Sequence, residues 1–159
     1  MAAIEAALGF KVPHDLIQFW KFANGTPEEF PVFCAKTDEY TEYNFYSTQR
    51  AKDFLYGPLS HEPLEEGRDA RIAPIWWSDR WIPFAGYNGG TSLAMIDLDP
   101  SPKGTPGQII AFQHDADAIY WVSDSFSEFL ANSLFLFSQN LMAVLESIEF
   151  YKKHFSAGT

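Results

Sequence analysis

Cysteine is almost absent: the 159-residue sequence holds one, Cys34. No disulfide can close within the chain, which fits a reducing compartment. The stretch "PVFCAK" sets no histidine beside this thiol, so a buried small hydrophobe is expected there rather than a nucleophile. Long apolar runs are missing too. None approaches the roughly 20 residues of a membrane span, and "MAAIEAALGFKVP" lacks the basic start and apolar core of a secretion signal. The expectation is a cytoplasmic protein with no membrane partner. Basic residues are scarce, 11 Lys and Arg against 21 Asp and Glu, for a formal net charge of −10. Nucleic-acid affinity comes from neutralising phosphates, so a nucleic-acid partner is excluded. An acidic surface suits the steering of a basic protein partner, or simply keeps the chain soluble.

The familiar catalytic signatures are also lacking. No Gly-x-Ser-x-Gly elbow occurs. Lys103-Gly104-Thr105 reverses the order a phosphate-binding loop needs. The four histidines, His14, His61, His114 and His154, are scattered. Asp97, Asp99 and Ser101 imitate the start of a calcium loop, but Pro102 stands where that loop needs glycine and Gln108 where it needs a bidentate Glu. Asp97 is expected to pin a strand end, with Asp99-Pro100 opening a turn. Asp97, Asp99, His114 and Asp117 are the weak metal-hydrolase candidates. They are expected to split between opposite ends of a strand pair, roughly 20 Å apart. No catalytic residue, metal or cofactor is assigned.

What is abundant is aromatic: 15 Phe, 7 Tyr and 5 Trp, enough for a well-filled core. One domain over residues 1–159 is expected from the length. Ile4, Ala7 and Leu8 fall at helical spacing before Gly9. Pro13 suits a first helical position, Leu16, Phe19, Trp20 and Ala23 make an apolar stripe, and Asn24-Gly25 ends the helix. "NFYSTQRAKDFLYGPL" reads as a strand leading into a short helix, and "SHEPLEEGRDAR" as a loop. "RWIPFA" reads as an edge strand or strand end, because it carries Pro83. "SLAMIDLD" alternates, with Leu93, Met95 and Asp97 on one face and Ala94, Ile96 and Leu98 on the other. "GQIIAFQHD" and "AIYWVS" are further strands joined by a turn over Asp115 to Ala118. The Asn88-Gly89-Gly90 triplet is a turn, since Asn and Gly tolerate positive φ. The chain closes in helix, opened by a Ser125/Glu128 capping box, with Phe126, Phe129, Leu130, Leu134 and Phe137 at helical spacing and Lys152, Lys153 and His154 complementing the dipole at its end. Helices, then strands, then helices is an α+β order, with a mostly antiparallel sheet flanked by terminal helices.

Trp76, Trp77 and Trp81 crowd into "WWSDRW", and an extended segment cannot bury all three. An exposed one marks a binding surface or a sugar platform. The apolar stripes of the terminal helices are expected to be spent on the core. Specificity is expected on loops of the segment after the first helix, at Glu28, Glu29, Asp38, Glu39 and Glu42. Asp97, Asp99, Asp115 and Asp117 complete the candidate partner-binding acids.

"IEAALGFKVPHDLIQFWKFANG" resembles the opening of the SUKH superfamily: Glu5, Leu8-Gly9, Val12-Pro13 and Asn24-Gly25 match. "WIPFA", "NGG", "IDLDP", "GQIIAF", "HDAD" and "VSDSFSEFL" then follow in family order from Trp81 to Leu130. The segment from Thr26 to Arg71 matches poorly, and Val12-Pro13 replaces the usual Leu-Pro. The resemblance implies one α+β domain without an agreed catalytic site. Bacterial members are commonly immunity proteins that neutralise toxins, often nucleases, whereas fungal members are regulatory scaffolds. The leading expectation is therefore a non-enzymatic immunity protein facing a basic toxin domain. The alternatives are a regulator or scaffold linked to cell-wall synthesis, or a glycan-binding module.

Overall fold

A computed structural model describes residues 5, 6, 9, 11–54 and 68–155. Ile4, Ala7, Leu8, His61 and most of the loop expected over Ser60 to Arg71 lie outside the described residues.

Helix α1, His14–Phe22, begins one residue after Pro13, which sits outside the helix at φ −51° and ψ 138°. Asp15 lies in the first turn, where the helix dipole favours a carboxylate. One of its oxygens accepts the Leu16 N–H at 2.9 Å and the other the Ser127 hydroxyl at 2.7 Å. Leu16, Ile17 and Trp20 form the buried stripe. The chain then builds β1 (Phe33–Lys36), β2 (Tyr40–Phe45), helix α2 (Thr48–Phe54), β3 (Trp81–Tyr87), a 3-10 turn (Asn88–Gly90), β4 (Ser92–Asp97), β5 (Gln108–Gln113) and β6 (Ala118–Ser123). Helices α3 (Phe126–Gln139) and α4 (Leu141–Phe155) close it. The six strands form one antiparallel meander in sequence order. This is the α+β arrangement the pattern implies.

The strand carrying Pro83 is internal, between β2 and β4, rather than at the sheet edge. The local chemistry still holds. β2 pairs with β3 only at Asn44↔Gly86 and Phe45↔Ala85, and the β3–β4 register shifts between Pro83 and Ala85. Proline, without an N–H, therefore sits where the ladder is interrupted.

Both faces of the sheet are covered. On one face Phe33, Tyr43, Phe45, Phe84, Ala94 and Ile96 pack with Leu16, Trp20, Phe126 and Phe129. Its rings meet mostly edge to face, as Phe84 does with Phe126 at 5.3 Å and Phe129 at 5.4 Å. Each fully buried aromatic here contributes about 1.5–3 kcal/mol of transfer free energy. On the other face Tyr46, Trp81, Leu93, Met95, Ile110 and Ile119 pack under Ile72, with Phe54, Trp77 and Trp121 partly buried beside them. The alternation expected in β4 is thus real, and both halves of it are buried.

The sheet curls. The Gln113 side chain donates to Thr37 Oγ1 at 3.2 Å and the Tyr120 hydroxyl to Asp38 Oδ2 at 2.6 Å, so the β1–β2 hairpin reaches the far end of β5 and β6. Helix α3 lies against β1 and shields its outer edge, where the Cys34 N–H donates to Ser133 Oγ at 2.8 Å. Cys34 is buried, as its surroundings in sequence imply. The α3 cap differs slightly from a reciprocal box. Ser125 Oγ accepts the Glu128 N–H at 3.1 Å, but the Glu128 carboxylate accepts the Asp124 N–H at 2.8 Å, one residue before the cap. The closing helix breaks at Asn140, φ −112° and ψ 20°. Its apolar stripe is only half spent on the core: Phe126 and Phe129 are buried, while Leu134, Phe135, Leu141, Leu145 and Phe150 are exposed. The His154 side chain lies outside the described residues.

Candidate partner-binding groove

On the N-terminal side of Asn44 the strands β2 and β3 part, because β3 ends at Tyr87 and the β3–β4 connection starts at Asn88. Gly89 and Gly90 make that connection with φ of +70° and +103°. The N-terminal half of β2 therefore runs past the end of β3. Two adjoining hollows open along it, sharing Glu42, Tyr87 and Asn88. The first, about 290 Å³, lies under Glu28, Glu29, Phe30 and Pro31 and is floored by Tyr46 and Gly86. The second, about 710 Å³, runs between Glu39 and Tyr40 on one wall and Gln113, His114 and Asp115 on the other.

Carboxylates from three separate stretches of sequence thus line one groove: Glu28 and Glu29, then Glu39 and Glu42, then Asp115. Glu28, Glu29, Glu39 and Asp115 are exposed and Glu42 is half-buried. Arg50 pairs with Glu28 at 2.9 Å and lies over the Tyr46 ring at 4.9 Å. His114 Nδ1 lies 3.6 Å from Asp115. Apolar surface interrupts the acids at Phe30, Tyr40 and Tyr87, all exposed. The Tyr40 hydroxyl donates to Glu42 Oε1 at 3.4 Å. Burial first, then the neighbouring Cys34 and Glu42, push this phenol well above the usual tyrosine range, so it stays a donor. Asn44 holds the wall in place, its amide donating to the carbonyls of Pro27 and Glu28 at 2.9 Å and 2.7 Å. Asp38, beside the groove, is engaged by Tyr120.

The remaining candidate residues are elsewhere. Asp97 is fully buried at 0% exposure, so it cannot meet a partner. It does pin the strand end: Oδ1 accepts the Asp99 N–H at 3.0 Å and Oδ2 the Gln108 side-chain amide at 2.9 Å. Burial pushes its carboxyl up, against the pull of those two hydrogen bonds. Asp99 is exposed at that same end, where Asp97 pairs with Gln108. Asp115 and Asp117 follow Gln113 at the other end of β5, and Asp117 takes φ 47° in the turn. The metal-hydrolase set is split accordingly. Among the described residues no three His, Cys, Asp or Glu side chains come together as metal ligands would.

One ring of the tryptophan cluster reaches the surface, as the crowding of three into six residues implies. Trp81 is fully buried at 0% exposure because segment 68–78 covers this face of the sheet; Trp77 packs edge-on against it at 5.9 Å and against Phe112 at 5.4 Å. Only Trp76 of the three is exposed, at 39%. Sequence reasoning missed Phe30, Tyr40, Tyr46, Arg50 and Tyr87 as groove residues. Tyr87 carried a usable signal, an aromatic directly before a glycine turn; the others depend on the parting of β2 from β3. Among the described residues no helix is long and apolar enough to cross a membrane.

Comparison with known proteins gives this geometry a setting. A family model described as SMI1/KNR4 (SUKH-1) matches residues 1–132. A glucan synthesis regulatory protein of Neurospora crassa is 51% identical over 62 residues, which is 39% of this chain and 12% of that protein. The cell wall assembly regulator SMI1 of Saccharomyces cerevisiae is 34% identical over 59 residues, 37% of this chain and 12% of its own. The cell wall biosynthesis/cell cycle regulator smi1 of Schizosaccharomyces pombe is 47% identical over 51 residues, 32% of this chain and 10% of its own. The matched segment spans about a tenth of the length of these relatives. With the family pattern running through most of its length, the chain belongs to the SMI1/KNR4 (SUKH-1) family.

Proposed function

We propose that this chain is a non-catalytic regulatory module that binds a basic protein partner through the acidic groove, in the manner of a cell-wall synthesis regulator. The observation that carries the reading is the convergence of Glu28, Glu29, Glu39, Glu42 and Asp115 on one groove, with Arg50 the one Lys or Arg in its lining among the described residues. Such a field steers a basic partner and selects against an acidic one. The relatives described above are named as regulators of glucan or wall synthesis, which favours this setting. The experiment is an exchange. This chain replaces the matching segment of the Neurospora relative, and glucan synthesis is measured in the strain that carries the chimera. Restored regulation is the expected result. A chimera that is expressed and soluble yet leaves glucan synthesis at the level of the deletion strain contradicts the reading.

The immunity role is a second reading, favoured by the net charge of −10 and its fit to a basic toxin domain. It predicts that co-expression with a cognate toxin domain restores growth; continued killing with both proteins soluble counts against it.

A further inference from the structure

We infer that the groove takes an extended, lysine- or arginine-bearing segment of its partner as an added strand along β2. The inference rests on the groove being the partner surface proposed above and adds how the partner is held.

The backbone carries it. β3 pairs with β2 only at Asn44 and Phe45 and ends at Tyr87, opposite Tyr43, so Tyr40 to Glu42 continue past its end. In an antiparallel ladder, successive residues send their N–H and C=O groups to opposite sides. The Tyr46 N–H donates to the Phe84 carbonyl on the β3 side, and the Tyr43 carbonyl accepts the Val32 N–H on the β1 side. Counting back in twos from Tyr46, the backbone of Glu42 faces the β3 side, where β3 has ended and the groove lies. Among the described residues no strand pairs with this edge, and a strand edge of this kind is a template for another strand. Three residues of it offer about 10 Å of pairing length. The outer edge of β1 does not compete, because the Cys34 N–H is taken by Ser133 on α3.

A second feature points to a ligand independently. Tyr46, 4% exposed, floors the groove beside Gly86, and its buried hydroxyl has no hydrogen-bond partner among the described residues. A buried hydroxyl left unpaired is costly, and an incoming polar group can satisfy it.

Charge selects the occupant. A second copy of this chain would set its own Glu39 and Glu42 against the same edge, and like charges directly opposite destabilise a strand pair. A partner strand with Lys or Arg at every second position brings its cations to one face, opposite Glu42 and within reach of Glu39 and Asp115.

The test uses isotope-labelled protein and synthetic peptides. The first is acetyl-Thr-Lys-Val-Lys-Thr-Lys-Val-amide. The second is the same peptide N-methylated at alternate amides, made in both phases. The third has Gln in place of every Lys. Affinity is read from amide chemical shifts and pairing from hydrogen exchange at the Glu42 N–H. The expected result is binding of the first peptide with shifts centred on Tyr40 to Tyr43 and exchange at Glu42 slowed about tenfold or more. One phase of N-methylation weakens binding about tenfold and the other leaves it unchanged, while the Gln peptide also binds weakly. If both methylated peptides bind like the first while the Gln peptide does not, strand addition is overturned and the acidic groove stands. If the Lys peptide shifts no groove amide at millimolar concentration, both ideas fall. A dimer in sedimentation whose dissociation frees the Glu42 amide would give the edge to a second copy and also overturn the inference.

Discussion

A methyl group on Gly86 would stand 1.8 Å from the Tyr46 hydroxyl and 2.4 Å from the ring carbon that bears it. Glycine is required there for space, since β3 and the tyrosine ring occupy adjoining volume at the groove floor. Gly86→Ala is therefore expected to cost about 1–3 kcal/mol, the usual range for overpacking. Urea denaturation measures it. In a Tyr46→Ala background the same substitution is expected to cost much less, because the atoms it strikes are gone. Equal costs in the two backgrounds would show that the ring does not lie against Gly86. Asp97 teaches a related lesson. Its sequence context, Asp97-Leu98-Asp99-Pro100, was readable as a strand end followed by a turn, and the Asp99 N–H bond to Oδ1 is that turn. Its burial was not readable, because it depends on Gln108 across the ladder and on Trp81 paired opposite.

At the scale of elements, the segment from Arg68 to Ser78 acts as a strap over the second face of the sheet. Asp69 and Arg71 hold its near end, with contacts of 2.8 Å and 2.6 Å between guanidinium and carboxylate. The Arg71 guanidinium lies 3.5 Å over the Trp121 ring, and the Arg71 carbonyl accepts the Gln108 amide at 2.9 Å. Ser101 donates to the Ala70 carbonyl. Gly104 is needed where this strap meets the β4–β5 loop, since a Cβ there would lie 2.3 Å from the Arg71 carbonyl oxygen. The Arg71 side chain holds the Asp69 carboxyl down to about 2, from an ordinary 3.8. A lowered folded-state pKa stabilises the charged form. Its contribution is present above about pH 4 and is lost as pH falls through about 2. Wild type is thus expected to be more stable than Asp69→Asn at pH 5, by less than about 1 kcal/mol because the pair is about a third exposed. That gap in urea midpoint is expected to narrow steadily between pH 4 and pH 2. A gap that widens on acidification would contradict this role for the pair.

For the whole molecule, the legible parts of the sequence were those set by local chemistry. Helix α1, the alternation of β4, the strands β5 and β6, and the Ser125 cap are each written within a dozen residues. The β1–β2 hairpin was not: β1 has only four residues, and the turn at Thr37 to Glu39 holds no glycine or proline. Both features hide a strand pair whose stability comes from Phe33, Tyr43 and Phe45 packing against Phe84, Phe126 and Phe129 far along the chain. The exposed half of the α3–α4 stripe, at Leu134, Phe135, Leu141, Leu145 and Phe150, was misread because helical spacing marks an apolar face without saying what covers it. The groove has the same origin. Glu28, Glu29, Glu39 and Glu42 were found from their charge and loop setting, but their meeting with Asp115 depends on the curl of the sheet and the early end of β3.

The net charge of −10 alone would attract a basic partner to many parts of the surface. We propose something narrower, that the groove rather than the overall charge does the binding. The most direct measurement compares two double reversals of equal charge in the Neurospora chimera, Glu39→Lys with Glu42→Lys in the groove and Asp79→Lys with Asp99→Lys, both exposed, at the opposite end of the sheet. Glutamates 39 and 42 are not engaged by any cation among the ion pairs described, so both variants are expected to keep the wild-type melting temperature within a few degrees. The predicted result is that the groove reversal abolishes the regulation of glucan synthesis while the remote reversal leaves it close to wild type. Equal function in the two variants, whether both regulate or both fail, would contradict the account.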